Sequence, residues 1–497
     1  MRAGLVKNFK NWVFKEVLIK KLNSPFGFII LFVSSLLITI FLTKVKSLFL
    51  FIPLAGFLGS FIVVLTFLDS FFAVSLAIVL SIIMNPIQKM LLQSLPFGSV
   101  VDIVIMINFF GCLSKQLRER KWNSKTLSHP IAFMQLIFFV FVGLQFFNVN
   151  MHSYEGYIGI VRRMPVFLAL YFIAIYNLDS RFFLKKITIL FIIVSVSTAL
   201  YAFYQEFVGL ADFEMRYLNS NEKILQLIFI EGRFRKFSLF NDPTSFGIFM
   251  AISGLYFLIL SIGPLKTSIK IGLFICSIIM FGAMAFSGTR TAYAIVPAGI
   301  VMYVLMTITH FRTLIISLIF IFFMVFILYG PIYGNKTINR IRSTVSFSED
   351  ASLNVRDVNR AFIQPYIYDH PFGGGLATSG VPGKIYNPNH YLAGFPPDSA
   401  YLQSALEFGW IGLLLVMVTA YINLRTAIKG YYRSIDPFIK TYYLGFTTIL
   451  FAITLAQYAQ YALSFTNRLF YIILLACIVK TSEFDKKTDN AKNDSTI

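Results

Sequence analysis

Apolar runs separated by short polar breaks occupy most of the chain. Runs near the roughly 20-residue length of a membrane-spanning helix fall at 26–43, 47–67, 70–85, 98–113, 131–147, 164–178, 187–203, 246–262, 271–286, 292–308, 314–329, 400–421, 443–457 and 469–479. The pattern predicts fourteen spans. The third is short, and the fourth follows Pro96 and contains Asp102. The fold class is therefore an all-α polytopic integral membrane protein with about 12–14 transmembrane helices.

The pattern stops at residues 331–398, the longest polar segment, where Arg, His, Asp and Gly gather between two apolar helices. Any chemistry is expected there. Gly and Pro at Pro371-Phe372-Gly373-Gly374-Gly375, Pro382-Gly383 and Pro396-Pro397 predict tight turns lying over the membrane surface. A short helix is expected from about Leu353 to Tyr368, with Ser352 or Asn354 as its cap and Pro365 as a kink. Two further polar stretches lie at 148–163 and 209–245.

Composition removes the soluble classes. Of 497 residues 57% are hydrophobic, 56 are Phe and only 13% are charged, more apolar surface than a soluble globule can bury. Arg2, Lys7, Lys10, Lys15, Lys20 and Lys21 precede the first run, and no small-residue cleavage site follows it, so 1–25 reads as a basic cytoplasmic arm rather than a signal peptide. Alternation from an inside amino terminus puts 115–125, 181–186, 266–270, 310–312, 425–440 and the tail on the inner side, as the short-loop charge rule requires. Spans one to eleven then occupy 26–330 with outer loops 148–163 and 209–245, the large outer loop is 331–398, and the last three spans occupy 399–480. The tail 481–497 is expected to be disordered. Cys112, Cys276 and Cys477 lie in apolar runs without paired spacing and read as small hydrophobes. The net charge of +20 points to anionic lipid or an anionic substrate.

The outer side collects arginines: Arg162, Arg163, Arg216, Arg233, Arg235, Arg290, Arg340, Arg342, Arg356 and Arg360, with Lys236 beside them. A guanidinium fork suits phosphate oxygens, so the set fits either lipid headgroups or a lipid-linked pyrophosphate, with Arg290, Arg356, Arg360 and Arg235 as candidate binders. Arg290 sits in the short linker Ser287-Gly288-Thr289-Arg290, as a site residue or as an interface anchor. His370 and His390 read as surface histidines, although His370 could instead hold a catalytic proton at neutral pH. Asp398, just before a spanning run, reads as a helix cap, as a general base, or as both. Glu407 lies within the apolar helix as a site candidate or a structural partner. Neither a metal-ligand spacing nor a phosphate loop appears, since Gly373-Gly374-Gly375 lacks the Lys-Ser/Thr that a P-loop needs. No cofactor, metal or nucleic acid is expected.

Phe240-Asn241-Asp242-Pro243-Thr244, Ser287-Gly288-Thr289-Arg290, Arg356 followed by Pro371-Phe372-Gly373-Gly374-Gly375, Asp398-Ser399-Ala400-Tyr401-Leu402 and Glu407-Phe408-Gly409-Trp410-Ile411-Gly412 together resemble the O-antigen ligase and polymerase superfamily. The resemblance implies a metal-independent membrane glycosyltransferase of the GT-C type in the bacterial inner membrane, with its active site facing the periplasm. It implies an undecaprenyl-pyrophosphate-linked oligosaccharide as substrate, membrane lipid as surroundings and a chain-length regulator as a possible partner. By position, Arg290 and Arg356 would meet the donor pyrophosphate. Ligases usually carry His-Asn where this chain has Asp398-Ser399, which is similar to polymerases, and Arg360 stands where the family often has a tryptophan. The expected activity is a surface-polysaccharide polymerase; a ligase acting on lipid A core or another acceptor is the alternative. A flippase or transporter is the alternative of another class, expected to show broken helices and mid-membrane charges.

Overall fold

The computed structural model describes residues 60, 62–91, 97–119, 128–178, 180–230, 232–331, 334, 336–342 and 351–493. The basic arm, the first expected span and most of the second lie outside them. The chain divides into two units, Met1–Leu65 and Thr66–Ile497, and everything below concerns the second.

Its helices are α1 Ser70–Leu91, α2 Phe97–Glu119, α3 Pro130–Leu144 with a 3-10 turn at Gln145–Phe147, α4 Tyr154–Val161, α5 Met164–Asn177, α6 Arg181–Phe207, α7 Asp212–Asn219 and α8 Glu222–Ile228. A two-stranded hairpin, β1 Phe229–Ile230 and β2 Arg233–Phe234, follows. Then come α9 Pro243–Ile262, α10 Thr267–Phe286, α11 Arg290–Thr307, α12 Phe311–Tyr329, α13 Lys336–Arg342, α14 Ala351–Asp369, α15 Gly380–Tyr386, α16 Ala400–Arg433, α17 Pro437–Ala459 and α18 Phe465–Asn493. Among the described residues, 10 helices are long and apolar enough to cross a membrane. The protein is an all-α polytopic membrane protein.

Asp-Pro and Ser punctuation sets several helix starts. Asp242 accepts the Ser245 N–H at 2.8 Å at the head of α9 with Pro243 next, and Asp436-Pro437 does the same for α17. Helices α9 and α17 form the centre, with 78% and 67% of their apolar windows buried, against 28% for α3 and α10, whose remaining surface suits lipid. Close approach within this core needs missing side chains: a Cβ on Gly254 of α9 would come 2.5 Å from the Phe281 ring of α10.

Three features differ from the sequence pattern. The stretch 148–163 is not simply a loop, because α4 runs through it and joins α5 in one span. The helix starting at Ala400 continues to Arg433, well past the expected apolar run. Helix α18 continues to Asn493 through the polar segment expected to be disordered. Elongating a helix that the membrane core has already nucleated costs little, and Lys480 pairs with Glu483 at 2.8 Å across that boundary.

Short connections bring the polar segments together at one end of the bundle. There Thr289 donates its hydroxyl to the Pro243 carbonyl at 3.1 Å, the Lys236 N–H reaches Phe286 O at 3.0 Å, and Asn467 Nδ2 reaches Ser245 O at 3.2 Å. The heads of α9, α11 and α18 thus meet at this loop end.

Candidate active site at the loop end

The predicted helix of the large polar segment exists as α14, and it continues through Pro365 to Asp369. Arg356 and Arg360, four residues apart, share one of its faces. Both reach the end of α17, where the last carbonyls of a helix lack partners. Arg356 Nη1 lies 3.4 Å from Ala459 O, and Arg360 donates to the Tyr458 hydroxyl at 3.1 Å and its carbonyl at 3.4 Å, with its guanidinium 4.9 Å from the Tyr458 ring centroid. A cation at a helix carboxyl end is also favoured by the macrodipole.

The same two arginines flank Asp398. Its Oδ2 is 3.1 Å from Arg360 Nη2 and 3.8 Å from Arg356 Nε, yet neither carboxylate oxygen receives a hydrogen bond. The capping expectation for Asp398 is corrected here. Ser399 is the cap of α16, accepting the Leu402 N–H on its hydroxyl at 3.1 Å, so the carboxylate one residue earlier is not spent on the helix.

Glu407 is placed quite differently. It is buried, and its Oε1 accepts from the Ser379 hydroxyl at 2.6 Å and more distantly from Gln403 Nε2 at 3.4 Å. Two residues on, α16 breaks: Gly409 has φ 72° and ψ −178° inside the helix. The carbonyls freed by the break are taken by the glycine run, with Gly374 N–H on Leu406 O at 2.8 Å and Gly375 N–H on Glu407 O at 3.0 Å. A Cβ on Gly373 would stand 2.6 Å from the Glu407 carbonyl carbon, so the backbones meet without side chains between them. Gln145, Asn148 and Asn150 hold the other side of this run through Phe372 O and Gly373 O.

The linker before α11 receives the remaining arginines. Arg235 donates to Ser287 O at 2.9 Å, Thr289 Oγ1 at 2.9 Å and Leu227 O at 3.4 Å, while Arg340 donates to Gly288 O at 2.9 Å. Burial, with Arg340 beside it, lowers Arg235 to about 10, so it stays cationic at neutral pH. Arg290 follows at the first position of α11, half-buried. His370 is turned onto Tyr366, ring centroids 3.9 Å apart and nearly parallel, with Nδ1 2.9 Å from Tyr366 O. His390 is buried beside it, and burial, then His152 and His370, lower its basicity. Among the described residues, no three His, Cys, Asp or Glu side chains come together as a metal-binding group.

Sequence reasoning named Asp398, Arg356 and Arg360 without placing them together. It missed Tyr458, the Ser379 partner of Glu407, and the helix break. The break had a signal: Gly409 and Gly412 in an apolar helix, opposite a run of three glycines.

Residues 275–417 match the family model described as O-antigen ligase. The matched segment contains Arg290, Arg356, Arg360, His370, Asp398 and Glu407, and leaves Arg235 outside. No curated protein matches the chain. The all-α fold, the order of the motifs and this match support the O-antigen ligase/polymerase superfamily, the match itself covering residues 275–417.

Proposed function

We propose that the protein is a polysaccharide polymerase of the bacterial inner membrane, joining undecaprenyl-pyrophosphate-linked oligosaccharides on the periplasmic side. The observation that carries this is Asp398: a carboxylate at the head of a spanning helix, held by Arg356 and Arg360, with neither oxygen hydrogen-bonded and the cap role taken by Ser399.

In the reaction, Arg290 and Arg356 meet the donor pyrophosphate, and Arg235 with Arg340 hold the linker that aims Arg290. Drawing Arg356 onto the pyrophosphate loosens its hold on Asp398, which then faces the acceptor hydroxyl. That oxygen attacks the anomeric carbon, the bond to pyrophosphate breaks, its electron pair leaves with the lipid pyrophosphate, and Asp398 takes the hydroxyl proton. Guanidinium groups fixed before the reaction meet the developing charge, so the mechanism is metal-independent and activity should survive a chelator. A chain-length regulator would act on release of the growing polymer.

The family description favours a second reading, a ligase that moves the glycan onto a different acceptor. Asp398-Ser399, in place of the His-Asn that the resemblance gives to ligases, supports the polymerase. Liposomes containing the purified protein and one lipid-linked repeat unit separate the two: a ladder on a gel is expected. No ladder until a core acceptor is added would make it a ligase.

A further inference from the structure

A second cleft opens beside this site, between α3, the α4–α5 pair, α16 and α18, with a volume of about 440 Å³. Its lining on α16 lies on both sides of the break at Gly409, from Ala400, two residues after Asp398, to Ala420. The end near Asp398 is polar, with Arg163, Arg468, Gln403 and Gln457. The rest is mostly apolar, with Phe139, Leu168, Val416 and Ile472, although Gln135 and Thr419 also line it.

The two arginines are held by ring faces. The Arg163 guanidinium lies 5.0 Å from the Phe465 ring centroid, and that of Arg468 lies 5.2 Å from Phe167 and 5.7 Å from Tyr461. A ring face holds the flat of a guanidinium and leaves its N–H edges for groups in its plane. Arg468 spends one edge on the Tyr461 hydroxyl at 2.5 Å and Arg163 interacts electrostatically with Asp102, so an oxyanion would take the remaining N–H groups. The buried Arg163 Nε has no hydrogen-bond partner. The one carboxylate lining the cleft, Glu407, has Oε1 occupied by Ser379 and Gln403.

From this we infer that the cleft binds the second lipid-linked substrate, the acceptor: a phosphate- or pyrophosphate-headed isoprenoid lipid, its headgroup on Arg163 and Arg468 and its chain along the apolar length of α16. A polymerase needs two lipid-linked units at once, and the donor arginines Arg290 and Arg356 do not line this cleft. The assignment of the lipid as acceptor rests on the proposed polymerase reading; the binding site itself does not.

The test is direct binding by native mass spectrometry, using farnesyl pyrophosphate as the probe. The protein carries Arg290→Ala and Arg356→Ala, so that the donor set is silent. One saturable farnesyl pyrophosphate is expected, bound about tenfold more weakly after Arg163→Gln with Arg468→Gln, the range for losing charged hydrogen bonds. Ala420→Trp, which fills the chain end and spares the arginines, should weaken it similarly. It carries the test alone if the double variant does not fold. Inorganic pyrophosphate and phosphatidylglycerol should each bind at least about tenfold more weakly than the probe. Equal binding of phosphatidylglycerol would make this a general headgroup site, and equal binding of pyrophosphate a free-anion site; either overturns the inference. Unchanged binding in folded variants also overturns it. Binding that behaves as expected, combined with no ladder from the parent protein with both arginines intact, would leave the cleft standing and remove only the polymerase.

Discussion

Asp398 and Glu407 stand nine residues apart at the head of one helix, and the sequence offers either as the base. Their surroundings separate them. Asp398 is paired with two guanidinium groups, which can exchange it for another anion. Glu407 is buried on Ser379 and Gln403 at the edge of a helix break that the glycine run fills. Burying a carboxyl without partners is expensive, and here hydrogen bonds offset that cost. In the proposed mechanism the first acid exchanges its partners for substrate, while the second joins the large loop to the bundle. The comparison also bears on the transporter alternative. A broken spanning helix is a transporter feature, but here the carbonyls of Leu406 and Glu407 at the break are taken by Gly374 and Gly375 N–H groups.

The largest expected effect comes from breaking the frame on the Glu407 side. Gly409→Ala forces a side chain into φ 72° and against the Pro371 carbonyl, which is backbone and cannot swing away. Positive φ and overpacking together should cost on the order of 3 kcal/mol. Loss of the folded peak on size exclusion and absence of polymer are expected; a stable, active variant would mean that the glycine run does not set the site.

The next effect isolates the Asp398 side. Since Ser399 caps α16, Asp398→Asn should leave folding and insertion unchanged. The rate of ladder formation should fall on the order of a hundredfold or more, the range for losing general-base help. A normal rate would dismiss Asp398 as the base.

Much of this architecture was legible in the residues. Apolar runs of spanning length correspond to helices from Ser70 onward, because lipid leaves a backbone no stable alternative to helix. Arg356, Arg360 and Asp398 were recognisable singly, since charge is conspicuous in an apolar chain. Their meeting was not, because it depends on α14 lying against the end of α17, and no local pattern encodes that approach. The capping expectation for Asp398 failed because two adjacent residues, Asp398 and Ser399, both suit a cap and the helix starts one position later. Arg235 looked like a substrate ligand for a similar reason: sequence cannot show that a guanidinium spends its donors on backbone carbonyls.

That distinction between arginines gives the third prediction. Arg356→Lys keeps a positive charge near Asp398 but loses the fork needed for a pyrophosphate, so the rate should fall by about tenfold with stability unchanged. Arg235→Lys should reverse the pattern, lowering thermal stability by about 1–2 kcal/mol through the contacts to Ser287 O and Thr289 Oγ1 while the rate follows only the folded fraction. Ladder kinetics and a melting curve on the same membranes separate the two, and identical behaviour would erase the distinction.

The smallest effect is expected at Glu407, and it tests the comparison from its other side. Glu407→Gln keeps an oxygen to accept the Ser379 hydroxyl, and the side chain keeps its length. It removes the capacity to hold an exchangeable proton as a base. If Glu407 only ties the loop to α16, the amide can do the same work at a cost of about 1 kcal/mol, from one altered hydrogen bond, and the rate should stay within about threefold of the parent. Glu407→Ala, which leaves Ser379 and the surrounding backbone without an acceptor, should destabilise by about 1–3 kcal/mol, so the pair Gln and Ala reads stability apart from chemistry. A base would show the opposite signature: a loss on the order of a hundredfold already in Glu407→Gln, with the melting temperature unmoved. That outcome, together with a silent Asp398→Asn, would exchange the roles of the two acids and place the chemistry at the helix break.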